Sequence, residues 1–176
     1  MKHGYRFVVG TLVVAGLAMT LALLAAGGQG ALANDGIIYV DADAAGGDGS
    51  SWADAFTTLQ PALDAAVAGN QIWMAEGTYR PTVEHGGSGS RYRSFQMKNG
   101  VAIYGGFDPS VGDVAWGDRD WQHNLTILSG DIGILGDTSD NCYHVFYHPG
   151  GTDLNSNAIL DGFTITAGNA DELDYP

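Results

Sequence analysis

Two stretches of the chain are near copies of each other, ILSGD at 127–131 and ILDGF at 159–163. Each sets two bulky aliphatic residues before one small or acidic residue, and closes on a glycine. Looser copies stand earlier, WMAEG at 73–77 and AIYGG at 102–106. The closing glycines are Gly77, Gly106, Gly130 and Gly162. Their unequal intervals of roughly 24–32 residues fall within the range of solenoid repeats. A short apolar strand returning at such intervals predicts a β-solenoid. One coil cannot bury its apolar side alone, whereas stacked coils bury a continuous column. Glycine recurs where the chain must leave the strand at a corner. The polar connections between the phrases then project from the stack.

The rest of the chain fits this reading. GIIYVDA at 36–42 is β-branched and aromatic and predicts a strand, followed by a glycine-rich loop over 43–51. One helix is predicted near 57–68. Thr57 and Gln60 have capping-box spacing, Phe56 is placed to staple the first turn, and Leu59, Leu63 and Ala66 or Val67 recur at helical spacing. Pro61 falls in the first turn, and Gly69 is placed to end the helix. Everything afterwards reads as short strands and turns. The 27 glycines in 176 residues follow no collagen period and fit tight turns that need positive φ.

The segment 1–33 differs from the remainder. Lys2 and Arg6 precede an uncharged apolar run over 7–27, and Ala31-Leu32-Ala33 has the small-x-small pattern of a cleavage site. This order predicts a signal peptide over 1–33 with cleavage after Ala33, the alternative being a retained membrane anchor. Removing the leader takes two basic residues and no acidic ones, so the formal charge moves from −13 to −15. A surface that acidic repels phosphate backbones, which excludes nucleic acid as an expected partner. Of the 20 acidic residues 17 are Asp, whose short side chain suits turns, so part of the acidity is turn chemistry. Cys142 is the one cysteine, which leaves no internal disulfide; its place in NCYHVF predicts a small buried residue.

Three stretches carry a resemblance to a known group: residues 38–79 (a strand, a glycine loop, Ser51-Trp52, then the helix), LTILSGDIG with DNCYHVFY, and AILDGFTITAGNA at 158–170. The chain resembles the N-terminal portion of the secreted bacterial right-handed parallel β-helix proteins of the pectin-lyase-like superfamily. The resemblance implies an all-β fold, a right-handed parallel β-helix with an N-terminal capping helix. It divides the chain into a leader (1–33), the first strand and capping helix (34–70), and the first coils of the β-helix (71–176). It also implies further coils beyond the third stretch, so a truncated solenoid is expected. Its members include lyases, hydrolases and adhesins, so fold alone does not choose a function.

No catalytic residue is assigned from sequence. Asp131 and Asp161 both flank a repeat glycine and could align on stacked coils, as a glycosidase pair must. Yet none of Arg80, Arg91, Arg93, Lys98 or Arg119 falls on the repeated strands beside them. Ser129, His144 and Asp140 lack a nucleophile elbow. His144 and His148 have metal-ligand spacing but no nearby Cys or Glu to complete a set. Asp41, Asp43 and Asp48 miss both the EF-hand and the repeat-type calcium patterns and read as a capped turn. The better metal candidate is Asp131, Asp137, Asp140 and Asn141, whose oxygens on one loop suit calcium. Trp116 and Trp121, in the polar loop 114–124, are the candidate glycan contacts; Trp52 and Trp73 read as core. The expected function is a non-catalytic secreted or cell-surface module, adhesin-like or glycan-binding, with an extracellular polysaccharide or cell-surface glycan as partner. The alternative is the N-terminal fragment of a polysaccharide lyase or glycoside hydrolase.

Overall fold

The computed structural model describes Met1 and residues 36–171. The leader, Met1 apart, lies outside the described residues. The chain divides into two compact units, 1–30 and 31–176, and every element below belongs to the second. Among the described residues no helix is long and apolar enough to cross a membrane.

The fold is mostly short strands in parallel sheets. In chain order they are β1 (Ile37–Val40), β2 (Gln71–Ala75), β3 (Gly77–Tyr79), β4 (Ala102–Phe107), β5 (Thr126–Ser129), β6 (Ile159–Asp161) and β7 (Phe163–Thr166), with one helix, α1 (Leu59–Ala65), after β1. One sheet has the order β1-β2-β4-β6 and the other β3-β5-β7, and every strand pairing in both is parallel. The chain therefore visits the sheets alternately, as β2 then β3, β4 then β5, β6 then β7. A third, shorter contact stands outside both sheets. Phe95 bridges Phe146 in parallel, with Phe95 N–H donating to Val145 O at 2.8 Å and Tyr147 N–H to Phe95 O at 3.1 Å.

Register follows from the alternation of side chains along a strand. Ile38, Ile72, Ile103 and Leu160 stand in one row across the first sheet. The first three are at most 1% exposed and join Val40, Met74, Phe95 and Leu128 in the core. The neighbouring row, Tyr39, Trp73, Tyr104 and Asp161, points the other way. There Trp73 stacks on Phe107 at 4.7 Å, and Trp52 packs 4.8 Å from Tyr39 and 5.5 Å from Phe107. A second aromatic layer thus covers the outer face. That cover is why β2 and β4 carry apolar residues at adjacent positions rather than in strict alternation.

The four glycine-ended phrases occupy two kinds of place. Gly77 and Gly162 sit where the chain passes directly from the first sheet to the second, and Gly106 lies near the end of β4, with φ of 137°, 82° and 98° respectively. β4 includes an extra residue, since Tyr104 faces Trp73 but Phe107 faces Ala75; Gly106 takes the positive φ of that bulge. Gly130 instead follows β5 on the second sheet, where a Cβ would press on Cys142 Sγ and the Ala167 carbonyl. Of the four phrase-closing glycines, only Gly77, Gly106 and Gly162 therefore share the positive-φ role. Gly130 falls between Gly106 and Gly162 in the chain but stands on the other sheet.

Helix α1 lies against β1 and buries Leu59, Ala62 and Leu63. It starts later and ends earlier than predicted. Thr58 is the N-cap, without a side-chain bond, and Gln60 donates to Asp64 Oδ1 at 3.0 Å instead of closing a capping box with Thr57. The C-terminal carbonyls are held from outside: Lys98 Nζ donates to Leu63 O, Asp64 O and Ala66 O at 2.9, 3.3 and 2.6 Å. With a cation supplying those bonds, the helix stops at Ala65 without a glycine at its end.

Cys142 is fully buried in the core cluster, and burial pushes its thiol up to about 11. Native protein at pH 8 should therefore resist a thiolate-specific reagent such as Ellman's, and react fully once denatured. Rapid labelling of the native chain would contradict this placement.

Candidate functional site

The polar loop 108–125 between β4 and β5 is folded onto the outer face of the first sheet. Trp52 Nε1 donates to Val114 O at 3.1 Å, which ties the two outer loops together. Trp116, 50% exposed, packs edge-on to Tyr104 at 4.7 Å and lies 5.8 Å from Trp73, so it closes the aromatic layer. Trp121, 54% exposed, has no ring partner among the described residues. The two candidate glycan contacts therefore differ: one is a lid on other rings, the other a free platform.

Trp121 lines an open cleft of about 570 Å³, with Gln122, Thr126, Asp161, Phe163 and Thr164 around it. Arg119 sits at its edge. Its Nε donates to Gly105 O at 2.5 Å, an Nη pairs with Asp161 Oδ1, and the guanidinium carbon stands 5.4 Å from both the Tyr104 and Trp116 ring centroids. The close approach is possible because Gly162 has no side chain; a Cβ there would meet the guanidinium. Among the described residues no basic residue falls on the repeated strands, as expected, yet one reaches Asp161 from a loop. Arg119 is on a loop, not a repeated strand, and reaches an acid 42 residues away, a pairing that no local spacing signals.

Asp131 and Asp161 do not face each other. Asp161 ends β6 on the first sheet, whereas Asp131 lies beyond the far end of β5 on the second. Ser129 is buried, with its Oγ accepting from Asp131 N–H at 3.2 Å, so no exposed triad forms. The two spaced histidines also separate in role: His148 Nε2 accepts from Met97 N–H at 2.8 Å, while His144 lies beside Tyr147. Asp41 and Asp48 accept from the N–H groups two residues on, at 2.9 and 3.0 Å, as turn-forming Asp residues do.

The candidate metal residues share the 131–141 loop but not one role. Asp137 Oδ1 accepts from Ser139 Oγ at 2.7 Å and Ser139 N–H at 2.9 Å, which holds its carboxyl below the usual range. Asp131 Oδ2 takes Gly136 N–H at 3.0 Å, and Asp140 Oδ2 takes Ile134 N–H at 2.7 Å. Asn141 is 4% exposed. Among the described residues no three His, Cys, Asp or Glu side chains come together as a metal site. Comparison with protein families, curated proteins and solved structures finds no match for this chain.

Proposed function

We propose that the chain is a stretch of right-handed parallel β-helix that acts as a non-catalytic, exported glycan-binding module. The handedness rests on the connections. Strands β2 and β4, and then β4 and β6, are parallel neighbours joined through strands of the other sheet, and such crossovers are right-handed in about 98% of cases. The resemblance of 38–79 and 158–170 to pectin-lyase-like proteins supports the same reading, and the basic-then-apolar leader supports export.

The observation that carries the function is the cleft. An exposed indole, an amide, a carboxylate and the exposed Thr164 border one concave surface, with the buried Thr126 beneath it. That combination suits a sugar, whose apolar ring face stacks on an aromatic side chain while its hydroxyls take polar partners. The described lining holds one acid, Asp161, and Arg119 engages it in an ion pair. Glycoside hydrolysis by the usual route needs two carboxylates across the scissile bond. The strongly negative charge disfavours polyanionic glycans and leaves neutral ones as the expected class.

Affinity electrophoresis of the purified chain through gels containing neutral or acidic polysaccharides tests this. Retardation by a neutral glycan is expected, and Trp121→Ala should weaken it about tenfold, near 1.4 kcal/mol. Retention that survives this substitution would place binding elsewhere. Release of reducing ends or unsaturated products, lost in Asp161→Asn, would replace the reading with an enzymatic one.

A further inference from the structure

The 131–141 loop carries an imbalance of donors and acceptors. Asp131 Oδ1, Asp140 Oδ1 and Asn141 Oδ1 are all buried, and none has a hydrogen-bond partner. Most buried side-chain oxygens in folded proteins are satisfied, so three orphans on one loop call for a cause. Neither carboxylate has an ion pair among the described residues. The two arginines that reach the loop serve its main chain: Arg80 Nε donates to Asp131 O at 2.6 Å, and Arg91 Nε to Asn141 O at 2.8 Å. They pin the two ends of the loop and leave its side-chain oxygens unanswered.

The loop is also folded around its carboxylates. Asp131 and Asp140, from opposite ends, each give one oxygen to the same turn, bonding Gly136 N–H and Ile134 N–H. Gly133 has no room for a side chain, because a Cβ would strike the Asp140 carboxylate. What is left over on both acids, and on the nearly inaccessible Asn141, is an acceptor. Three acceptors cannot satisfy one another, and two are anionic. A hard cation answers both needs at once.

We propose that this loop is a Ca²⁺ site built by Asp131, Asp140 and Asn141, with water and main-chain carbonyls completing the shell. Asp137 lies outside it, since its carboxylate is committed to Ser139. Calcium is favoured over magnesium because it accepts about six to eight oxygens in flexible geometry, amide oxygen included, whereas Mg²⁺ demands a near-ideal octahedron and keeps its waters. The site stands apart from the glycan cleft and does not depend on that reading.

Calorimetric titration of the full chain with CaCl₂, paired with thermal melts in EDTA and in calcium, tests the proposal. At a hundredfold excess over Kd the melting temperature should rise by roughly 5–10 °C. Asp131→Asn and Asp140→Asn keep an oxygen for the bonded N–H, so they should fold, melt in EDTA no lower than the parent, and lose the calcium response. Asp137→Asn should keep it. A parent chain with no binding heat and no melting shift up to about 10 mM Ca²⁺, beyond the weakest extracellular sites, would overturn the proposal without recourse to any variant. So would an equal response to MgCl₂, or an undiminished calcium response in the Asp131→Asn, Asp140→Asn double variant.

Discussion

Phe95→Ala should lower the stability of the chain by about 3–5 kcal/mol, the range for deleting a buried aromatic ring. Phe95 is fully buried, and its ring packs 5.7 Å from that of Phe146. Its backbone also makes the bridge between successive turns on the third side of the proposed coil. The cavity left by the ring would open in the middle of the core column, where the parallel strands on either side cannot collapse without losing register. Circular dichroism melts should show a fall of roughly 10 °C or more. Ile134→Ala, at a position 70% exposed, should move the midpoint little and serves as the comparison. A Phe95→Ala variant that melts with the parent would mean that this third side is not packed.

The second large effect concerns a polar knot inside the corner. Thr126 is 1% exposed; its hydroxyl donates to Ala75 O at 3.1 Å and accepts from Gly106 N–H at 3.0 Å. One side chain on the second sheet thereby ties two consecutive corners of the first. Tyr79 donates to the same Ala75 carbonyl at 3.1 Å and accepts from Ala42 N–H at 3.2 Å. Burial pushes the Tyr79 hydroxyl well above its ordinary pKa, so it stays a donor throughout the accessible range. Thr126→Val keeps the shape and strands the Gly106 N–H, at a cost of about 1–3 kcal/mol. Tyr79→Phe should cost a similar amount through Ala42. Each single change leaves Ala75 O one of its two side-chain donors, and the double change removes both. The combined loss in urea melts should exceed the sum of the singles by about 0.5 kcal/mol or more. Strict additivity would show that the two hydroxyls do not share that carbonyl.

The strands were legible because their signal is local. Ile103 and Leu160 sit in apolar phrases ending in glycine, Ile72 directly precedes another, and the first sheet pairs the three in one row. Which wall a phrase occupies was not legible. ILSGD and ILDGF are nearly alike as text, yet one ends at Gly130 beside Cys142 and the other turns a corner at Gly162. Both places exclude a side chain, for unrelated reasons, and composition cannot separate a steric demand from a conformational one. The start of α1 was misplaced because Thr57 and Thr58 are chemically alike and Gln60 has a competing partner in Asp64. The helix end was misread because its cap is Lys98, far along the chain from the carbonyls it holds. The cleft was half visible. Trp121 stood out in a polar loop, but Arg119 and Asp161 meet only once the chain has folded. The candidate metal loop was visible as a density of oxygens, whereas the division of labour that sets Asp137 apart depends on hydrogen bonds that spacing does not encode.

The stacking of successive strands, on which cleft and loop both depend, is tested most directly by a methyl-resolved NOESY spectrum of the full chain. Contacts are expected along the row Ile38–Ile72–Ile103–Leu160, and separately between Leu128 and Ile165 on the second sheet. Strong cross-strand Hα–Hα peaks, the mark of antiparallel pairs whose Cα atoms approach to about 4.5 Å, should be absent from these strands. A contact between Ile103 and Leu160, distant in sequence and paired in register, without such Hα–Hα peaks, is the predicted result. Antiparallel Hα–Hα peaks linking β2 to β4, or no contact between Ile103 and Leu160, would contradict it.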